Sequence, residues 1–375
     1  VEHVRLGRCS KLTVPKGIYG ELESIVGSGN ISNDEVILHS YSEDSSPFPA
    51  QKPAVVVRVS ETSEVAGIMK IANRMKIPVI PAGGRTSISG APIPRVLGAI
   101  MLDLTKMDKV KEIDEDTMTV TAQCGVRWAQ LIHELNLKGY KLGFRGPYGG
   151  NAGTVGGSLS VNTVGCGASK WGGACNNVLS LEVVLPTGEA IKTGSGWNPI
   201  AKRFARYATF NDLTGIFLGD HGTLGVKTEA TLKIYPLPKG LAYADYGFTS
   251  LSNCVNAFHE LQKLGIPEEI NMLGDKTSIG LLAETYLESL PEIECAFAVV
   301  IEEIDSAIAE RKKALCDEVA KKYGGKALGS FLTRALWLDM FNMTQPLFDS
   351  GFWFNTCHIR PISTLRETIE DAQAL

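Results

Sequence analysis

Gly146–Gly167 reads GPYGGNAGTVGGSLSVNTVGCG, and this stretch decides the fold. It holds eight glycines and no charged side chain. Glycine loses more backbone entropy on folding than any other residue, so such a run destabilises the chain unless something must approach the backbone closely. A flexible linker would be rich in Gly and Ser and poor in aliphatic residues. Here Val155, Leu159, Val161 and Val164 are interleaved with the glycines. The reading is a packed, shaped loop whose amides face a flat or phosphorylated ligand.

Upstream, Ala54–Val59 (AVVVRV) has the β-branched texture of a buried strand. Ser60 and Thr62 offer N-caps to a helix carrying Val65, Ile68, Met69 and Ala72 on one face, and Ile77–Ile80 returns as a second strand. Strand, helix, strand implies a parallel crossover. The second strand runs into Pro81-Ala82-Gly83-Gly84-Arg85-Thr86-Ser87, where adjacent glycines and hydroxyls suit a pyrophosphate and Arg85 would add a charged donor. The alternative is an ordinary tight loop. The first fifty residues read as mixed and loop-like.

Ala99–Asp103 and Thr117–Ala122 read as strands, Trp128–Leu135 as a helix ended by Gly139, and Leu181–Leu185 as a strand. Asp212–Val226 is an apolar segment entering a third glycine loop, and Thr231–Tyr235 alternates as a strand closed by Pro236 and Pro238. A domain boundary is expected near Pro238, giving 1–238 and 239–375. The second part reads as a helix at Val255–Leu261, a strand at Cys295–Glu302 and a charged helix at Asp305–Tyr323 capped by Gly324. Trp337 and Phe341 read as core.

The 375 residues carry 37 basic and 41 acidic side chains, a formal charge of -4. That balance gives no electrostatic reason to expect nucleic acid or an anionic membrane. No apolar run reaches the ~20 residues needed to span a bilayer, and the expectation is a soluble, cytoplasmic protein. Eight cysteines include no C-x-x-C pair, which argues against a disulfide framework, a zinc ribbon or a local iron–sulfur motif. No metal site is expected. No G-x-G-x-x-G follows a strand, and neither a P-loop nor a G-x-S-x-G elbow occurs. His133-Glu134 and His259-Glu260 lack the second His of a zinc-protease helix.

Three stretches together, Pro81–Gly90, Thr154–Gly165 with Val178–Glu189, and Asp212–Val226, resemble flavoproteins of the vanillyl-alcohol-oxidase superfamily. The similarity is to the branch of glycolate oxidase flavin subunits and D-lactate dehydrogenases, and covers about Tyr41 to Pro238. It implies an α+β chain in which two α/β subdomains hold an extended FAD, followed by a partial α+β cap. It places Pro81, Gly83, Gly84, Arg85, Thr86 and Ser87 around the pyrophosphate. Pro147, Thr154, Gly156, Gly157, Ser158, Asn162 and Gly165 would lie by the ribityl chain and flavin ring, and Gly222, Thr223, Gly225 and Val226 by the ring or adenosine. No His or Cys stands where some members tether the flavin, so FAD is expected to be non-covalent.

The sequence departs from the family strings at Arg85, in place of a third glycine, at Val164, and at Asp220-His221, in place of Ser-Glu. The L-W-x-x-R string that supplies a substrate arginine has Met340 after Leu336-Trp337. The family's histidine-rich strings are not met before Leu375, so the sequence is expected to be a fragment. His358 and His221 are the candidate proton-transfer residues, and Arg360 and Arg334 the candidate carboxylate clamps. The implied activity is FAD-dependent oxidation of a 2-hydroxy acid such as D-lactate or glycolate. An iron–sulfur subunit, an electron-transfer flavoprotein or a quinone would take the electrons, and membrane association would at most be peripheral, through a partner. The alternatives are a flavin-bearing electron-relay subunit and an enzyme like alkylglycerone-phosphate synthase.

Overall fold

In a computed structural model of the chain, residues 17–207, 211–276, 278–280, 292–342 and 361–373 are described. They form two compact units. The first comprises residues up to Lys138 with Gly150–Thr163 and Ala174–Tyr235; the second comprises Gly139–Gly149, Val164–Gly173 and the described residues from Pro236 onward. In chain order the strands are β1 Ile31–Ser32, β2 Val55–Arg58, β3 Val79–Ala82, β4 Ile100–Asp103, β5 Val110–Asp114, β6 Thr119–Gln123, β7 Tyr140–Leu142, β8 Val178–Val184, β9 Ala190–Lys192, β10 Val226–Pro236, β11 Gly240–Phe248, β12 Glu269–Leu273, β13 Cys295–Glu303 and β14 Lys326–Ala327.

The first unit holds two sheets. One runs β1-β2-β4-β3, with β2 and β3 each parallel to β4. The crossover read from the sequence is therefore present, but it skips a place that β4 fills. The helix of that crossover is Thr62–Met75, and its cap is Glu61 rather than Ser60 or Thr62: a capping box joins Glu61 and Glu64. Ser60 instead donates its N–H to Glu64 Oε2 at 2.7 Å. The first fifty residues are not simply loop. Ile18–Val26 is a helix that buries Ile18, Leu22 and Val26, and these join Val55, Val57, Ile68 and Leu102 in one core. The second sheet includes the antiparallel path β5-β6-β10-β8-β9.

The second unit is built on the antiparallel order β12-β13-β11-β14. Its helices Leu251–Leu264 and Ser306–Lys322 put Cys254, Ala257, Leu261, Ala309 and Cys316 into a core with Phe248 and Phe297. Ser250 and Asp305 cap their N-termini, and Gly265 and Gly324 follow their C-termini with φ of 63° and 76°. A second cluster packs Trp337 and Met340 with Cys166 and Val300. Among the described residues, no helix is long and apolar enough to cross a membrane.

Candidate functional site

β3 ends at Ala82, and the chain turns at once through Gly83, Gly84 and Arg85. A Cβ on Gly83 would sit 2.1 Å from Thr154 Oγ1, and one on Gly84 would sit 1.8 Å from the carbonyl oxygen of Ala152. The two glycines thus let the first loop lie directly on the second. Arg85 has φ 53°, the left-handed conformation that glycine adopts without strain, so a third glycine here would meet the same backbone demand more easily. Among the described residues the backbone N–H groups of Gly83, Gly84, Arg85, Thr86 and Ser87 meet no hydrogen-bond acceptor. Buried or half-buried amides are nearly always paired. A run of successive free N–H groups around a left-handed residue has the form of an anion-binding nest.

The Arg85 side chain does not add to that concavity. Its guanidinium lies 4.2 Å from the Tyr41 ring centroid and donates to the Ser40 carbonyl oxygen. Tyr41 in turn donates to Asp103 Oδ2 at 2.6 Å, and burial, helped by Asp103, pushes the phenol up to about 12.

The second loop leads into the helix Val155–Val161. Thr154 caps it, its hydroxyl accepting from the N–H of Gly157 at 3.3 Å. Ser158 Oγ accepts from the Trp128 indole at 2.8 Å. Gly156 allows contact with Cys124, whose side chain a Cβ would approach to 2.6 Å. Asn162 closes the helix with φ 48°. The Thr154 and Ser158 hydroxyls, read from sequence as ligand-facing, thus have protein partners.

The third loop joins the same place in the first unit. The N–H of Gly219 donates to Leu159 and that of His221 to Ser160, at 2.9 and 2.8 Å. Asp220 organises the turn: its carboxylate accepts from the N–H of Gly222 at 3.0 Å and of Leu224 at 3.3 Å, and pairs with Lys227 at 2.5 Å. The paired side chains are only 2% and 1% exposed, and nothing in the sequence linked Asp220 to Lys227. His221 is exposed with φ 53°. Thr223 donates its hydroxyl to the Asp220 carbonyl oxygen at 2.6 Å. Gly222 rests on Pro81, 3.4 Å from where its Cβ would be. Together with Met69, Ile77, Pro186, Gly225 and Val226 they line a cavity of about 390 Å³.

Pro147 and Gly165 belong to the second unit. A Cβ on Gly165 would lie 2.4 Å from the Gly146 carbonyl oxygen. Just beyond it in sequence, Gly167 donates its N–H and Ser169 its hydroxyl to buried Glu269, each at 2.5 Å. Arg334 is exposed and faces Asp339 at 3.5 Å. His358 and Arg360 lie outside the described residues.

Residues 53–194 match the model of an FAD-binding domain. A D-lactate dehydrogenase of Anaerostipes hadrus is 34% identical over 224 residues, 59% of this chain and 45% of that protein. The glycolate oxidase subunit GlcD of Bacillus subtilis is 32% identical over 226 residues, 60% of this chain and 46% of that protein. The chain thus spans about half the length of these relatives. Among solved structures, p-cresol methylhydroxylase with substrate bound superposes with a TM-score of 0.76 at 19% identity, covering 88% of this chain and 72% of that one. Residues 53–194 thus form an FAD-binding domain, the cofactor is FAD, the fold is of the vanillyl-alcohol-oxidase type, and the chain is similar in sequence to FAD-linked oxidoreductases.

Proposed function

We propose that this protein is a cytoplasmic FAD-dependent dehydrogenase that oxidises a small 2-hydroxy acid, of the D-lactate or glycolate type, to the 2-oxo acid. The similarity to a D-lactate dehydrogenase and a glycolate oxidase subunit supports the substrate class. The observation that carries the reading is the run of acceptor-less amides from Gly83 to Ser87 beside the cavity under Gly222. Five N–H donors suit a pyrophosphate, and a cavity walled by Met69, Ile77, three prolines and Val226 suits the flat adenine of the same molecule. The remaining contacts would come from Thr154, Gly156, Gly157, Ser158, Asn162, Thr223 and Gly225. Residues 1–238 would then serve the cofactor and 239–375 the substrate.

Bound FAD supplies the two-electron acceptor, and the protein supplies orientation, amides and exclusion of water. The chain must also take the hydroxyl proton and hold the acid carboxylate. His358 and His221 are the proposed proton acceptors, and Arg360 and Arg334 the proposed cations. A separate carrier would receive the electrons, an iron–sulfur subunit or an electron-transfer flavoprotein. The test is anaerobic mixing of the flavin-loaded protein with D-lactate, glycolate and their homologues. Bleaching of the flavin band by one of them, with onward reduction of a dye, is the expected result. A flavin that none of them reduces would refute the substrate class.

A further inference from the structure

Arg145 stands directly before the glycine-rich stretch and is held firmly by its backbone. Its N–H donates to the Cys166 carbonyl oxygen at 2.8 Å, and Gly146 and Cys166 form an antiparallel bridge. The guanidinium lies 4.3 Å from the centroid of the Trp337 ring. Trp337 is buried, with Met340 and Cys166 around it, so the indole offers a fixed plane. Stacking on an indole orients a guanidinium and leaves its N–H edge free.

The carboxylates in this part of the second unit are already engaged. Lys141 pairs with both Glu268 and Glu302, and Glu268 also takes Lys170 at 2.9 Å. Glu269 is held by Gly167 and Ser169. Among the described residues no carboxylate pairs with the Arg145 guanidinium and no acceptor takes its N–H groups. Its charge reaches the phenol of Tyr243, where it opposes the upward push of burial and Glu302. An oriented cation with an open donor edge, next to a phenol, is a recurrent way to receive a carboxylate.

We propose that Arg145 is a further substrate-binding cation, receiving the carboxylate of a small 2-hydroxy acid on its free edge while Trp337 fixes its plane. Met340 occupies the position where the L-W-x-x-R string carries its arginine. Arg145 brings a guanidinium to the same tryptophan from a distant part of the chain. The proposal rests on the 2-hydroxy-acid reading for its substrate class, and its test separates the two.

Oxalate, a small carboxylate that cannot be oxidised by hydride loss, is titrated calorimetrically into the FAD-loaded protein, its Arg145→Gln variant and its Arg145→Lys variant. The expected result is at least tenfold weaker binding for Gln and several-fold weaker for Lys, with FAD content unchanged in the Lys variant. In turnover, KM for the hydroxy acid should rise more than kcat falls. Oxalate affinity within twofold of the parent in the Lys variant, or in a folded Gln variant, would overturn the proposal. Arg145-dependent oxalate binding in a protein whose flavin no hydroxy acid reduces would uphold the clamp and refute the reaction.

Discussion

Gly83 and Gly84 show how much one methyl group can decide. Gly84→Ala sets a carbon 1.8 Å from the Ala152 carbonyl oxygen, so the first two loops must part. Overpacking of this kind costs about 1–3 kcal/mol, and the parted loops should no longer hold flavin. Thermal unfolding and the FAD-to-protein absorbance ratio check both outcomes. Glu269 makes a prediction about pH. Burial pushes its carboxyl from 4.5 up to about 7, against the bonds from Ser169 and Gly167. Below 4.5 both folded and unfolded states are protonated; between 4.5 and about 7 the unfolded chain alone gives up the proton. Stability is therefore lost as pH rises through that window, by roughly 3 kcal/mol at most at about 1.4 kcal/mol per pH unit. Glu269→Gln should flatten that part of the profile, measured by denaturant unfolding at several pH values; an unchanged slope would contradict it. At this scale the sequence was legible where only glycine fits. It was silent where a residue's role depends on a distant partner: nothing local marks Ser158 as the acceptor for Trp128, or turns Arg85 onto Tyr41.

The third loop, from Gly219 to Gly225, is the element whose shape depends most on a single carboxylate. Asp220 bonds two backbone amides of its own turn and neutralises the buried ammonium of Lys227. Asp220→Asn leaves that ammonium uncompensated, and breaking a buried pair in this way costs about 3–5 kcal/mol. The expected outcome is a large drop in stability together with loss of the cavity wall at Gly222. The double variant Asp220→Asn/Lys227→Met should recover much of the stability, which urea unfolding would show. At the start of the crossover helix, Glu64→Ala removes the acceptor for the N–H groups of Ser60 and Glu61 and should cost ~1 kcal/mol. Strong periodicity made the longer elements readable, as at Leu251–Leu264 and Ser306–Lys322. Ile18–Val26 was missed because glycines at 17, 20 and 27 masked a spacing of four between Ile18, Leu22 and Val26. The place of β4 between β2 and β3 depends on pairings that no local pattern encodes.

For the molecule as a whole, the sequence revealed the cofactor more clearly than the substrate. Dinucleotide binding needs backbone shape, which glycines announce; carboxylate binding needs a few side chains brought together by the fold. The interleaving of the two units also escaped a reading by position, since Gly139–Gly149 and Val164–Gly173 group with the residues after Pro236. The central claim is that three amide-rich turns, around Gly83, Thr154 and Gly222, converge to hold FAD. The most direct measurement is FAD affinity, from calorimetric titration of the flavin-stripped protein with FAD and with riboflavin, which lacks the pyrophosphate and adenosine. The account predicts binding of FAD that is at least a hundredfold tighter and is abolished by Gly84→Ala; equal affinity for the two ligands, or no effect of Gly84→Ala on FAD, would contradict it.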